Sequence, residues 1–244
     1  MKKTILLVAL GIITIFCICY GTYKHLGRFS SIFKDGVHIS FDDDDEYDTD
    51  ENNDGKKSIN EKLEEFSSIR IAASVMGITI EQGDEFRIES SFNKEILRPE
   101  FSVRGNQLVV TQAGRKQQGI NMGSQNCRTV ITIPSGTSLS SINIDSNVGD
   151  VRLREIDAED IDVNLNVGEI NVRNIDFTEI NCNTNVGEIS INPVSRLDDY
   201  DINASTDVGE IRINGRNHKK RYNSHGNGRK KIKVNTNVGE INIK

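Results

Sequence analysis

The chain has 244 residues, 36% of them hydrophobic, and a formal net charge of −6. Its four cysteines and four histidines share no metal-ligand spacing, and neither a Gly-rich phosphate loop nor a Ser-His-Asp set is recognisable. This sets aside a Cys/His metal centre, a phosphate-loop enzyme and a serine hydrolase.

Lys2 and Lys3 precede an apolar stretch from about Thr4 to Tyr23. Twenty helical residues span about 30 Å, the hydrocarbon thickness of a bilayer, so residues 1–28 read as an N-terminal transmembrane helix in the cytoplasmic membrane. A cleaved signal peptide is the competing reading. No small-x-small site follows the stretch, and Phe16 before Cys17 and Ile18 before Cys19 do not fit a lipoprotein site, which favours an uncleaved anchor. Lys24, Arg28 and Lys34 follow the segment, so flanking charge leaves its orientation open.

Residues 29–57 read as an acidic, disordered linker. Asp42–Asp45, Glu46, Asp48, Asp50, Glu51 and Asp54 are nine acids without an intervening base, and without them the net charge would be +3. Such a block is normally solvated. Its end matches the calcium-loop spacing, with Asp50, Asn52, Asp54 and Glu61 as oxygen ligands around Gly55. Lys57 in the usual apolar place and the lack of a preceding helix weigh against calcium.

A single domain is expected over 58–244. Ser58 and Glu61 have capping-box spacing, and Ile59, Leu63 and Phe66 could line one side of a short helix. Strands are expected at Ile69–Ala73, Ile78–Glu81 and Phe86–Ser90. Phe101–Val103 and Leu108–Thr111 flank Gly105-Asn106, a hairpin signal. Residues 112–127 read as a loop and Val130–Ile133 as a strand. Ser74 to Ile80 looks like a degenerate early copy of a repeat that fills the C-terminal half.

From about residue 139 the chain repeats itself. Asn/Asp-Val-Gly-Asp/Glu recurs with Gly149, Gly168, Gly187, Gly209 and Gly239 spaced 19, 19, 22 and 30 residues apart. A period near twenty is the mark of stacked coils. Aligned on the glycine, apolar residues fall into five columns two residues apart, the period of strands. Ile142, Ile161, Ile180, Ile202 and Ile232 form the first, and Ile144, Val163, Cys182, Ala204 and Val234 the second. Val148, Val167, Val186, Val208 and Val238 form a third, expected to point inward. Val151, Ile170, Ile189, Ile211 and Ile241 follow the glycine, then Leu153, Val172, Ile191, Ile213 and Ile243. The change of phase at the glycine implies a corner at positive φ. Outward asparagines, Asn143, Asn181 and Asn203 in one column and Asn164, Asn183 and Asn235 in another, are expected to hydrogen-bond along the stack. The last inward residue, Ile243, precedes only Lys244, so the final coil reads as an open edge able to pair with another chain.

The Pro-Ser-Gly-Thr-Ser-Leu step at 134–139 and the Val-Gly-Asp/Glu-Ile coils, behind a membrane anchor, resemble the bacterial putative-adhesin domain family. This is the LiaG-like, β-strand-repeat class of low-GC Gram-positive bacteria, and the resemblance covers roughly residues 66–244. It implies a right-handed β-helix-like stack outside the cytoplasmic membrane, in some members encoded with envelope-stress systems, and it implies no catalytic residues.

Two constellations could carry chemistry. The acidic column Asp150, Glu169, Glu188, Glu210 and Glu240 should repel itself at strand spacing. Arg152, Arg154, Arg173 and Arg212 lie close enough to balance it, and the competing reading is a stripe for a divalent cation or a cationic partner. The insertion in the last repeat carries Arg216, Lys219, Lys220, Arg221, Arg229, Lys230 and Lys231 with no acid between Gly215 and Lys231. It reads as a solvated loop or as a patch for anionic wall polymer, lipid headgroups or an acidic membrane partner. Nucleic acid is not expected, because Tyr222 is the one aromatic there for stacking. Cys127 and Cys182 could pair, although a buried free thiol is the default for Cys182.

The expectation is an all-β, right-handed β-solenoid behind an N-terminal transmembrane helix. It would be a non-enzymatic, membrane-anchored cell-surface module for an envelope interaction or envelope stress, without a cofactor. The alternative is a scaffold that self-assembles by end-to-end stacking of its coils. A polysaccharide-active enzyme would need a shielded acid–base pair beside a cleft, and no such pair is visible.

Overall fold

Apolar side chains at every second position, most of them β-branched, favour extended chain with one face in and one face out. The computed structural model describes residues 56–112, 126–226 and 228–244. The expected anchor, the linker as far as residue 55 and the calcium candidates Asp50, Asn52 and Asp54 lie outside them, while Lys57, expected to end the linker, already belongs to the first strand. Among the described residues no helix is long and apolar enough to cross a membrane.

The architecture is all-β and solenoid-like. The elements in chain order are β1 (Lys57–Lys62), β2 (Ser68–Val75), β3 (Gly77–Gly83), β4 (Arg87–Phe92), β5 (Glu100–Arg104), β6 (Gln107–Thr111), β7 (Cys127–Pro134), β8 (Ser138–Val148) and β9 (Val151–Arg154). There follow β10 (Asp157–Val167), β11 (Ile170–Val186), β12 (Ile189–Pro193), β13 (Tyr200–Val208), β14 (Ile211–Ile213), β15 (Arg216–His218), β16 (Arg221–Ser224), β17 (Lys230–Val238) and β18 (Ile241–Ile243). Each coil places the strand before its glycine in one ladder and the strand after it in a second. The first ladder runs β5-β6-β2-β8-β10-β11-β17-β13-β16. The second runs β1-β4-β7-β3-β9-β11-β12-β18-β14-β15. Ile69, Ile142, Ile161, Ile180, Ile202 and Ile232 from one ladder share a single core with Ile78, Val151, Ile170, Ile189, Ile211 and Ile241 from the other.

Pairing is parallel through the middle of both ladders and antiparallel at their ends. The hairpin at Gly105-Asn106 joins β5 to β6, and both turn residues have positive φ, 55° and 67°. The expected strands over 69–133 all form. The helix expected at Ser58–Phe66 does not: β1 is a strand pairing antiparallel with β4, and Glu61 lies on it opposite Ile88. Register with β4 overrides the weak capping signal, while Phe66 still reaches the core. The early copy is real, since Val75 stacks on Val148 and Ile78 on Val151.

The order of coils departs from chain order. The coil of β17 and β18 lies between that of β11 and β12 and that of β13 and β14. The expectation of an open edge at Ile243 is therefore corrected: β18 is paired on both sides, by β12 and β14. End-to-end assembly through that coil loses its basis. Spacing explains the skip. Gly187 to Gly209 is 22 residues rather than 19, and three more extended residues add about 10 Å, enough to bypass a rung of about 4.8 Å. Charge supports it, because Lys231 lies in register between Glu179 and Asp201.

A second correction concerns the valine column. Val148, Val167, Val186, Val238 and Val208 are 36–62% exposed. Alternation ends two residues earlier, at Ser146, Leu165, Thr184, Thr236 and Thr206, which are the buried column. The chain turns outward at the following glycine, with φ between 142° and 153° in all five repeats. Polar residues in the inward column hid this: the Thr236 and Thr206 hydroxyls donate to the carbonyls of Gly187 and Gly239 at 3.3 and 3.2 Å.

Candidate functional site

The glycine corner is the device that positions everything exposed along the stack. A Cβ on Gly168 would lie 1.9 Å from the Gly149 carbonyl oxygen, and one on Gly187 would lie 1.8 Å from that of Gly168. The stack thus carries a bare line of glycine backbone with a residue column on either side. The asparagines before the valines tie this edge together. Asn166 donates to Asn147 at 2.7 Å, Asn185 to Asn166 at 2.8 Å and Asn237 to Asn185 at 3.1 Å. The second expected ladder forms in part, as Asn183 donates to Asn164 at 3.0 Å and Asn164 to Asp145 at 3.1 Å; in the first column Asp162 and Lys233 separate the asparagines, and Asn181 donates to Asp162 at 3.1 Å. The ladder at the Asn of the repeat motif lies outside the two columns expected from the sequence.

On the other side of the glycines lies the acidic column, in stack order Asp150, Glu169, Glu188, Glu240 and Glu210. Its members differ. Asp150 is 5% exposed, accepts the Glu169 amide at 3.0 Å and faces Arg152 at 3.5 Å, so it holds a corner. The four glutamates are exposed. Arg212 reaches Glu210 at 3.4 Å and Glu240 at 3.9 Å. The next outward column reads Arg152, Asn171, Ser190, Asn242 and Arg212 in register, so these cations stand only at its two ends. Arg154 and Arg173 stack on each other two residues farther on. Grooves of about 430 Å³ beside Gln112 and Asp145 and about 310 Å³ beside Pro134 and Asn174 contain none of these carboxylates.

The basic insertion is not a loose loop. It forms β15 and β16, which pair antiparallel with β14 and β13 and cover that end of the stack. The Thr206 amide donates to the Lys220 carbonyl at 2.9 Å, and the Gly226 amide to Asp201 at 2.8 Å. His218 packs on Tyr222 with ring centroids 4.4 Å apart. Arg216, Lys219, Lys220, Arg221 and Arg229 remain exposed.

Lys230 and Lys231 part from this group. Lys230 pairs with Asp176, donates to Ser195 at 2.9 Å and lies 5.7 Å from the centre of the Tyr200 ring. Lys231 and Lys233 both reach Glu179, at 3.5 and 2.7 Å. The hydrogen bond from Lys230 holds the Asp176 carboxyl below its ordinary range, and Lys233 does the same for Glu179. These lysines bind β17 into the stack. Burial pushes the Tyr200 phenol up to about 12.

Cys127 and Cys182 are both free and buried. Their strands, β7 and β11, belong to well-separated coils, so the possible disulfide is not formed. Burial raises both thiols, Cys127 to about 11.

A family model described as Toastrack DUF4097 matches residues 66–196 and again 142–244. A crystal structure of a putative cell adhesion protein from Clostridium sporogenes is similar in fold, with a TM-score of 0.59 at 19% identity over 78% of this chain and 99% of that one. A putative adhesin from Bacteroides fragilis aligns at 14% identity with a TM-score of 0.38, over 78% of this chain and 97% of that one. No curated protein matches the chain.

Proposed function

The chain belongs to the Toastrack DUF4097 family, and from that premise we propose that it is a non-catalytic binding module whose basic end cap contacts a phosphate-bearing anionic polymer or lipid headgroup. The observation that carries this reading is the cap itself. Arg216, Lys219, Lys220, Arg221 and Arg229 are exposed on paired strands, and the segment from Gly215 to Lys231 contains no acid. Cations fixed on a rigid edge meet a row of phosphates without the ordering cost a flexible loop would add.

The proposal extends to placement. Residues 1–28 anchor the chain in the cytoplasmic membrane, residues 29–57 space the domain from it, and the domain faces outward, where wall polymer and headgroups are both within reach. The apolar run at 4–23 and the acidic run at 42–54 support this, as does the resemblance to envelope proteins. A role beside envelope-stress systems follows from the same resemblance. Protease shaving of intact cells tests the placement: domain fragments released from the cell surface are expected, and full protection would contradict it.

Binding is tested with the full chain held in phosphatidylcholine nanodiscs, so that the anchor is already embedded, by capture on phosphatidylglycerol vesicles, on phosphatidylcholine vesicles and on a poly(glycerol phosphate) resin. Binding to one or both anionic supports, falling by tenfold or more between about 50 and 300 mM salt as screening grows, is expected. Equal binding to phosphatidylcholine, or salt-independent binding, would refute it.

A further inference from the structure

The valine column is the largest departure from burial in this fold. Val75 and Val148 stack in register, then Val148 on Val167, Val167 on Val186, Val186 on Val238 and Val238 on Val208. Six residues at about 4.8 Å per rung make a ridge about 24 Å long. Five of them are 36–62% exposed, so the ridge presents on the order of a few hundred Å² of apolar surface, comparable to the largest patch on a typical monomer, which is often functional. Solvated coils would place Thr or Ser there at no cost to strand formation, so burial in this chain does not account for valine.

The flanks are ordered and unlike. One residue before Val148, Val167, Val186 and Val238 runs the hydrogen-bonded asparagine ladder. Two residues after it, within about 7 Å of chain, runs the row Glu169, Glu188, Glu240 and Glu210. The bare glycine backbone lies between ridge and row and cannot accept a side chain. The result is an apolar ridge, a shallow trough and a carboxylate row, all parallel to the stack axis.

We propose that this edge docks a cationic amphipathic helix of a partner, laid along the stack. Three observations select that occupant. The ridge is well below the roughly 800 Å² per partner of a stable interface between folded proteins, which disfavours a second copy of this domain as the main ligand, and two carboxylate rows would repel. The pitch fits a helix: one turn rises 5.4 Å against about 4.8 Å per rung, a slip of about 0.6 Å per turn that four rungs tolerate. An extended segment presents like side chains about 6.8 Å apart and falls out of step after one. The carboxylate row on one flank then selects lysine or arginine beside the apolar stripe of the helix. At Glu188 the adjoining column holds Ser190, stacked between Asn171 and Asn242. This site is separate from the basic cap, and either can fail without the other.

The test uses the full chain in phosphatidylcholine nanodiscs, with empty nanodiscs as reference. The probe is a fluorescent 18-residue Leu/Lys peptide of helical period, about 27 Å long as a helix, beside a peptide of the same composition with strict Leu-Lys alternation. The helical-period peptide is expected to bind saturably and at least tenfold more tightly. V167T/V186T/V238T should weaken it at least tenfold, and E188Q/E240Q should weaken it and flatten its salt dependence. Equal binding of the two peptides, or no change in either variant, would overturn the proposal. Concentration-dependent dimerisation that the threonine variant abolishes would assign the ridge to a second copy instead and equally overturn it. The glutamine variant alters only exposed side chains, so it keeps the question open to decision if the threonine variant fails to fold.

Discussion

Replacing Gly168 by alanine tests the corner more sharply than any core truncation. Its φ is 143°, a value that residues with a Cβ rarely adopt, and strain of this kind costs about 1–3 kcal/mol. The new Cβ would also lie 1.9 Å from the Gly149 carbonyl oxygen and 2.7 Å from its carbon, so the two rungs must separate by more than an ångström. The bonds at risk run from Gly149 N to Val167 O at 3.1 Å, Val151 N to Glu169 O at 2.8 Å and Gly168 N to Val186 O at 3.0 Å. Losing two of them adds about 2 kcal/mol. The total, roughly 3–5 kcal/mol, is a large share of the 5–15 kcal/mol that holds a typical domain. Gly77 is the control: it lacks the positive φ, and a Cβ there would meet only the Cys127 carbonyl, at 3.8 Å. Urea unfolding followed by far-ultraviolet circular dichroism should show a large fall in midpoint for Gly168→Ala and a shift within about 0.5 kcal/mol for Gly77→Ala. Equal effects of the two substitutions would refute the corner argument.

Three further outcomes follow from burial and charge. Val186→Thr should change stability by no more than about 0.5 kcal/mol, whereas Ile189→Ala, three residues away and fully buried, should cost about 2–5 kcal/mol; matched denaturation curves check this. Cys127 and Cys182 should resist alkylation in the folded chain at neutral pH and react only at the rate of unfolding, because burial keeps them as thiols; fast labelling mapped to either residue by peptide mass spectrometry would contradict their packing. Asp176 and Glu179 have lowered folded pKa values, so their pairs contribute fully above the unfolded values of about 3.9 and 4.3 and fade as pH falls through the folded ones. Asp176→Asn should therefore lower stability at pH 7 by about 1 kcal/mol or less at this exposure and make the acid limb between about pH 5 and pH 2 shallower, as read by thermal melts across that range.

Much of this fold can be read from residues alone because a twenty-residue period and a two-residue alternation are both local. Ile161, Val163, Ile170 and Val172 declare their strand and their facing without help, and the glycine between them declares the corner. What stays hidden is relational. Val167 looks like a core residue until the corner places it outside, and Thr184 looks like surface until the same corner places it inside. The transposition of β17 between β11 and β13 depends on a three-residue excess in one loop and on Lys231 finding Glu179, and no single repeat records either. The basic residues are legible as a group, yet only pairing divides them: Arg216 to Arg221 and Arg229 stay on the cap, while Lys230 and Lys231 serve the stack.

That division gives the most direct measurement of the proposed function. The full chain with Arg216, Lys219, Lys220, Arg221 and Arg229 changed to glutamine is compared with K231Q, both held in phosphatidylcholine nanodiscs and matched to the parent by circular dichroism, for capture on phosphatidylglycerol vesicles and poly(glycerol phosphate) resin. The account predicts that the cap variant loses at least tenfold in salt-sensitive binding while K231Q binds as the parent does. Undiminished binding by the cap variant would contradict it.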